Sequence, residues 1–158
     1  NGNYEASAVG EVNVVELMKK NNAIIGGEGN GGIIYPELHY GRDSLVGVAL
    51  FLTHLANKKI SVSALRASYP EYYMSKNKIE LTPQIDVDAI LTAMTEKYKN
   101  EDISTIDGVK IDFATEWVHL RKSNTEPIIR IYTEAPSQKE ADVLALRIID
   151  EIKEIAGI

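Results

Sequence analysis

The sequence predicts an α+β domain, an antiparallel sheet with two helices on one face, preceded by the end of another, larger domain. Three observations predict this arrangement. The C-terminal half reads as a strand and a helix, then a run of strands, then a final helix, an order typical of α+β domains. Its longer strands alternate apolar and polar residues, as half-buried strands do. The N-terminal half contains a nearly all-apolar helix that its few other elements are too small to cover.

The first part, residues 1–70, is predicted to contain a short helix and two short strands. Val14, Leu17 and Met18 lie at helical spacing, and Asn13 is the candidate N-cap. Two apolar runs predict the strands, a buried one at residues 23–25 and another at residues 33–35 that Pro36 ends.

A longer helix is predicted from Leu45 to about residue 57, capped by Asp43 or Ser44. Its apolar residues surround nearly the whole helix: Leu45, Val46, Val48, Ala49, Leu50, Phe51, Leu52 and Leu55. Such a helix is normally buried on several sides. We therefore expect this part to be the trailing end of a larger domain, closed by a short helix at residues 63–69.

The second part, residues 71–158, begins with a strand predicted at residues 76–81. Asp86 is expected to cap the next helix, whose apolar stripe holds Val87, Ile90, Leu91, Met94 and Tyr98. Asp107-Gly108 is a tight-turn signal between two short strands. Two alternating strands follow at residues 117–121 and 128–132. The last helix is predicted to start with a capping box, Ser137 with Glu140, and to end at Gly157.

Composition excludes several classes of protein. The 158 residues include no cysteine, which excludes a disulfide framework, thiolate metal sites and a cysteine nucleophile. No apolar run approaches the ~20 residues of a membrane span, and no signal peptide is visible. A net charge of −6 argues against a nucleic-acid-binding face, because such affinity comes mainly from phosphate neutralisation. We expect a cytoplasmic protein that binds neither nucleic acid nor membrane.

The loop between the two alternating strands is the first candidate site. Residues 121–127 read Arg-Lys-Ser-Asn-Thr-Glu-Pro, and they combine cations, hydroxyls and a carboxamide that suit a phosphate group. If the apolar faces of the strands contact the helices, Arg121 and Arg130 both lie on the open face of the sheet. We therefore predict that Arg121, Ser123, Asn124, Thr125 and Arg130 bind phosphate. The alternative is a polar hairpin loop whose side chains satisfy their own backbone.

The second candidate site is the glycine-rich run Gly27-Glu28-Gly29-Asn30-Gly31-Gly32. It matches G-x-G-x-x-G, but an extended segment follows where a dinucleotide site requires a helix. A loop between two strands remains, with Glu28 and Asn30 placed to hold vicinal sugar hydroxyls and glycines that allow a ligand close to the backbone. The alternative is a glycine-rich turn with solvated polar residues.

The two runs together resemble the α-D-phosphohexomutase family, which includes phosphomannomutases, phosphoglucomutases and phosphoglucosamine mutases. The segments Val9-Gly10-Glu11-Val12-Asn13-Val14 and Tyr40-Gly41-Arg42-Asp43 also resemble that family. The resemblance covers essentially the whole chain. It implies that residues 1–70 are the C-terminal part of a third, sugar-binding α/β domain, and residues 71–158 a fourth, phosphate-binding domain.

The resemblance also implies roles for individual residues. Glu28 and Asn30 would contact sugar hydroxyls, although many members carry serine where this chain has Asn30. Some members carry histidine where this chain has Gly32, so no catalytic role is assigned there, and none is assigned elsewhere in the chain. The residues implied to hold the phosphate that is not transferred are Arg121, Ser123, Asn124 and Thr125. Arg130 is added from the strand geometry alone.

The family reaction is an intramolecular phosphoryl shift through a bisphosphorylated sugar, with a phosphoserine donor and Mg²⁺ held by an aspartate-rich loop. No segment of this sequence resembles either element; Asp86 and Asp88 are explained by a helix start. We therefore expect a fragment that binds phosphosugar, relies on missing N-terminal domains and is inactive alone, with a fragment dimer covering its apolar helix. The alternative is a non-catalytic module that binds phosphorylated ligands or partner proteins.

Overall fold

The computed structural model describes residues 2–80, 82, 85–123 and 128–158, and the chain divides into two compact units, Asn1–Pro70 and Glu71–Ile158. The described elements of the first unit are α1 (Glu11–Asn21), β1 (Gly26–Glu28), β2 (Gly32–Ile34), α2 (Ser44–Lys58) and α3 (Val62–Ala67). Those of the second unit are β3 (Tyr73–Glu80), α4 (Val87–Lys97), β4 (Asp102–Ser104), β5 (Val109–Asp112), β6 (Trp117–Lys122), β7 (Ile128–Ala135) and α5 (Gln138–Ala156).

The first unit is organised around the hairpin of β1 and β2. The two strands pair antiparallel, with Gly26 opposite Ile34 and Glu28 opposite Gly32. Gly26 allows close packing, because a Cβ there would lie 2.2 Å from Sδ of Met18, a buried residue of α1. The hairpin is thereby fixed against α1, and its turn carries the polar residues of the glycine-rich run.

Two expectations for the first unit are wrong. α1 begins at Glu11 with Gly10 as its N-cap, so Asn13 lies within the helix and donates from its side chain to the carbonyl oxygen of Val9. Residues 23–25 do not form a buried strand, and Ile24 is 82% exposed. The pairing of β2 ends at Ile34, opposite Gly26, so residues 23–25 have no described strand beside them.

α2 confirms the expectation that the elements around it cannot cover an all-apolar helix. Asp43 is its N-cap and accepts hydrogen bonds from the amides of Leu45 and Val46, at 2.8 and 3.1 Å. None of its residues is buried, and the side chain of Leu45 is 79% exposed. Among the described residues, neither α2 nor any other helix combines the length and apolar character that crossing a membrane requires.

The second unit is an antiparallel sheet in the order β3-β7-β6-β5-β4. The expectation of two helices on one face is confirmed, because α4 and α5 share one core with the sheet. β3 begins at Tyr73, three residues before the predicted start. The core is formed by aliphatic residues and one methionine: Ile79, Ile90, Met94, Val109, Ile111, Val118, Leu120, Ile129, Ile131, Leu144, Ile148 and Ile152.

The helix starts in the second unit follow the predicted capping. Asp86 caps α4 by accepting from the amides of Asp88 and Ala89, and Ser137 caps α5 by accepting from the amide of Glu140. Tyr98 then ties the two helices together, because its hydroxyl donates to Glu151 of α5 at 2.9 Å. Burial, together with this hydrogen bond, raises the pKa of Tyr98 to about 12.

The predicted tight turn at Gly108 leads to a test of the sheet. Gly108 has φ +78°, and a Cβ there would lie 2.2 Å from the carbonyl oxygen of Leu120. We expect Gly108→Ala to destabilise the second unit by more than the ~1–2 kcal/mol of left-handed strain, because a backbone clash is added. Urea unfolding followed by the fluorescence of Trp117, the single tryptophan, measures the loss.

The matched control is Gly157→Ala, at φ +71° with nothing within 4 Å of the added Cβ. It carries the same strain without the clash, so its loss should be smaller. Equal losses for the two variants would contradict the close approach of the turn to β6.

Candidate functional site

The hairpin turn of the first unit brings Glu28 and Asn30 together, as the sequence predicts for a pair that shares one ligand. Asn30 Nδ2 donates to Glu28 Oε2 at 3.4 Å, and Glu28 Oε1 accepts from the amide of Gly10 at 3.2 Å. The side-chain oxygen of Asn30 accepts from the amide of Gly32 at 3.0 Å. Gly31 has φ +95°, which permits the tight return of the chain. The structure confirms the extended segment predicted after the glycines, where a dinucleotide-binding turn requires a helix.

An open cavity of about 720 Å³ lies beside this turn. Polar side chains and glycine backbone line it, including Glu11, Asn30, Gly32, Arg42 and Ser44. Arg42 and Glu11 form an ion pair, with Arg42 Nε 2.9 Å from Glu11 Oε2. The cavity therefore offers hydrogen-bond donors and acceptors in balance, which suits an oxygen-rich ligand.

Sequence reasoning assigned no role to the Arg42–Glu11 pair. The two residues are 31 positions apart, and no local pattern indicates that the turn before α2 meets the start of α1.

In the second unit, the register of β6 and β7 places Arg121 directly opposite Arg130. Their neighbours in the strands, Leu120, Ile129 and Ile131, are buried in the core beneath the helices. Both arginines are half-buried and lie on the opposite, open face of the sheet, as the alternation predicts.

The cations continue onto a third strand. Lys78 of β3 is directly opposite Arg130, so a row of Lys78, Arg130 and Arg121 crosses three strands on the open face. Lys78 is a residue that sequence reasoning missed, since β3 pairs with β7 across about fifty residues of chain and no local signal predicts that register. Directly opposed like charges are destabilising in a sheet, so this row suits an anion bound above it.

Two carboxylates partly balance this cation row. Arg121 Nη1 lies 3.5 Å from Asp107 Oδ2, and Lys78 Nζ lies 3.0 Å from Glu80 Oε1. His119, on the same face as Arg121, donates from Nε2 to the carbonyl oxygen of Asp107, which holds the turn beside Arg121. Arg130 makes no ion pair with a described residue, so among the residues that the structure describes the row holds three cations and two paired carboxylates.

The loop that follows Arg121 is described only at its two ends. The amide of Ser123 donates to the carbonyl oxygen of Ile128 at 3.1 Å, which draws the ends of β6 and β7 together. Asn124 and Thr125 lie outside the described residues, so their predicted phosphate contacts stay predictions. The side chain of Lys122 lies on the helix side of the sheet, where its Nζ is 2.8 Å from Oδ2 of Asp88 in α4.

No metal centre is found in the part of the chain that the structure describes. Residues 2–80, 82, 85–123 and 128–158 contain no group of three or more His, Cys, Asp or Glu side chains that could hold a metal ion. Asp86 serves as a helix cap and Asp88 pairs with Lys122, so both carboxylates have structural partners within the second unit.

Comparison with known families assigns both units to one family. Residues 1–73 match the domain family described as phosphoglucomutase/phosphomannomutase, alpha/beta/alpha domain III. Residues 77–151 match the family described as phosphoglucomutase/phosphomannomutase, C-terminal domain. The chain belongs to the phosphoglucomutase/phosphomannomutase family, the α-D-phosphohexomutases, which confirms the resemblance seen in the sequence.

Similar proteins agree with this assignment. A phosphoglucosamine/phosphogalactosamine mutase from Sulfurisphaera tokodaii is 40% identical over 149 residues, 93% of this chain and 32% of that protein. A phosphoglucomutase/phosphomannomutase from Thermococcus kodakarensis is 39% identical over 135 residues, 84% of this chain and 29% of that protein. The chain thus spans about a third of the length of these relatives.

One solved structure has the same fold over nearly the whole chain. It is a phosphoglucomutase/phosphomannomutase family protein from Burkholderia thailandensis, which superposes with a TM-score of 0.68 at 23% identity and covers 94% of this chain and 31% of the other. The likeness supports the fold of both units.

The helix cap beside the cavity gives a pH-dependent test. The hydrogen bond from the Val46 amide, helped by His39 and the Leu45 amide, holds the pKa of Asp43 below its usual value. The cap is therefore fully present above the usual aspartate pKa and is lost as pH falls through the lowered folded value. We expect the unfolding temperature of the wild type, followed by circular dichroism, to exceed that of Asp43→Ala at pH 7 and to approach it in acid.

Asp43→Asn is the matched control, because asparagine caps helices as well as aspartate and does not titrate. The wild type should lose stability in acid relative to this variant. A gap between them that stays constant with pH would show that Asp43 does not carry the effect.

Proposed function

We propose that this chain forms the hydroxyl-binding and distal-phosphate-binding part of a phosphohexomutase, which interconverts sugar 1- and 6-phosphates through a bisphosphorylated intermediate. Family membership supports the class of reaction. The observation that carries the assignment of roles is the opposed pair Arg121 and Arg130, because two arginine forks on one open sheet face can bind a single phosphate bidentately.

The phosphate-binding role is assigned to the β6–β7 loop and the sheet face beside it. Arg121 and Arg130 supply charge, and the hydroxyl of Ser123, with Asn124 and Thr125, supplies further donors. Phosphate bound here would neutralise cations that the strand register forces together. In this proposal the site holds the phosphate that is not transferred.

The hydroxyl-binding role is assigned to the β1–β2 turn. The Glu28 carboxylate can accept from hydroxyls, and the Asn30 carboxamide can both donate and accept. Their mutual hydrogen bond orients both groups before a sugar arrives, which reduces the ordering that binding requires.

The chemical step is assigned to groups other than these residues. In the proposed reaction a serine carries the transferred phosphoryl group, and Mg²⁺ polarises it. The described residues do not fit a Mg²⁺ site, and in this proposal they take no part in the chemical step. The cytoplasmic location and the dimer also stay proposals.

Arg121→Ala tests the phosphate role. We expect hexose 6-phosphate to bind the chain more weakly by ~1.5–3 kcal/mol, because one charge-assisted contact is lost. Calorimetric titration measures the change, with Lys153→Ala, an exposed cation of α5, as the charge-matched control. Unchanged affinity in Arg121→Ala, or an equal loss in Lys153→Ala, would remove Arg121 from the site.

A second prediction separates binding from catalysis. The 158-residue chain should bind hexose phosphates but show no mutase turnover, because the phosphoryl-donating serine and the metal ligands are assigned elsewhere. A coupled assay with hexose 1-phosphate and a hexose 1,6-bisphosphate activator checks this. Turnover above the buffer blank would contradict the proposed division.

A further inference from the structure

Arg42 stands directly over the backbone of the glycine-rich hairpin. It lies in the turn between β2 and α2, and a Cβ added at Gly32 would come within 2.7 Å of Arg42 Cδ and 3.2 Å of Cγ. The aliphatic stem of Arg42 therefore occupies the space that a side chain at position 32 would need. Glycine at this position lets an arginine from another segment reach the hairpin turn.

Glu11 holds the guanidinium in this position. Its carboxylate accepts from the backbone amide of Arg42 at 3.1 Å and from Nε at 2.9 Å. The two terminal nitrogens of Arg42 make no hydrogen bond to any residue that the structure describes, and the side chain is 52% exposed. The guanidinium is thus held at Nε by Glu11, while its two terminal nitrogens stay available as donors at the cavity.

The charge around Arg42 indicates which ligand group it suits. Among the residues that line the cavity, Arg42 and Glu11 are the only ionised side chains within the described chain, and they neutralise each other. A phosphate dianion would be repelled by the Glu11 carboxylate beside the guanidinium. A hydroxyl meets no such repulsion, because it accepts from arginine and donates to carboxylate.

We propose that Arg42 is a specificity-determining residue that donates from its terminal nitrogens to hydroxyl oxygens of the hexose ring, beside Asn30. This inference rests on the proposed function, since the sugar is the hydroxyl-bearing part of the phosphosugar. It adds a third polar group, from a different segment, to the pair Glu28 and Asn30. The fixed fork selects hydroxyls by their direction, so it discriminates between epimeric hexoses.

The test titrates the 158-residue chain with hexose 6-phosphate and, separately, with inorganic phosphate, followed by amide NMR shifts. Two variants remove the donors: Arg42→Ala, and Arg42→Met, which keeps an unbranched stem packed on Gly32. We expect both to bind hexose 6-phosphate roughly tenfold more weakly, as for one charged hydrogen bond, and to lose the ligand-induced shift at the Asn30 amide. Inorganic phosphate should bind as in the wild type.

Arg66→Ala is the charge-matched control, because Arg66 is an exposed cation on α3 of the same unit. It should bind both ligands normally. The inference is overturned if Arg42→Met keeps wild-type affinity, if inorganic phosphate is weakened as much as the sugar phosphate, or if Arg66→Ala weakens binding equally. Should Arg121→Ala still weaken hexose 6-phosphate in those cases, the proposed function stands without Arg42; should it not, the proposed function fails as well.

Discussion

The register of β6 against β7 is the constraint on which the second unit depends. It places Leu120 opposite Ile131 and Arg121 opposite Arg130. A slip of one residue would turn the arginines into the core and the isoleucines to solvent. Because the core packs fully buried side chains of both strands against α4 and α5, the register cannot relax to separate the charges. Two like charges are therefore held face to face by apolar packing elsewhere.

This constraint gives the sheet face its chemical character. Lys78 joins the pair because β7 is also the neighbour of β3, and the Asp107 carboxylate lies 3.5 Å from the Arg121 guanidinium. We propose that a bound anion offsets this repulsion, so that affinity for phosphate would follow from the same packing that stabilises the sheet. In the first unit the polar side chains are brought together in another way, because glycines let Glu28, Asn30 and Arg42 approach the β1–β2 turn.

Features of the fold that depend on neighbouring residues, such as helix caps and strand faces, are mostly predicted correctly from the sequence. Asp43 or Ser44, Asp86 and Ser137 are predicted as helix caps because capping depends on a few adjacent residues, and the structure selects Asp43 of the first two. The same local reasoning is wrong for Asn13, since Gly10 caps α1. The alternation around residues 121–127 correctly predicts the faces of β6 and β7. Residues 23–25 were assigned wrongly because strand formation requires a partner strand, which an apolar run does not reveal. Contacts across long separations were missed for the same reason, as with Lys78 opposite Arg130 and Glu11 against Arg42.

The central claim is that opposed arginines on the open face are stabilised by phosphate. The most direct measurement is the unfolding free energy of the second unit, by Trp117 fluorescence in urea, for the wild type and Arg130→Met in chloride and in phosphate at equal ionic strength. In chloride we expect the variant to be as stable as the wild type or more so, since repulsion is removed. In phosphate the wild type should gain the larger stabilisation. Equal gains in both proteins would contradict the claim.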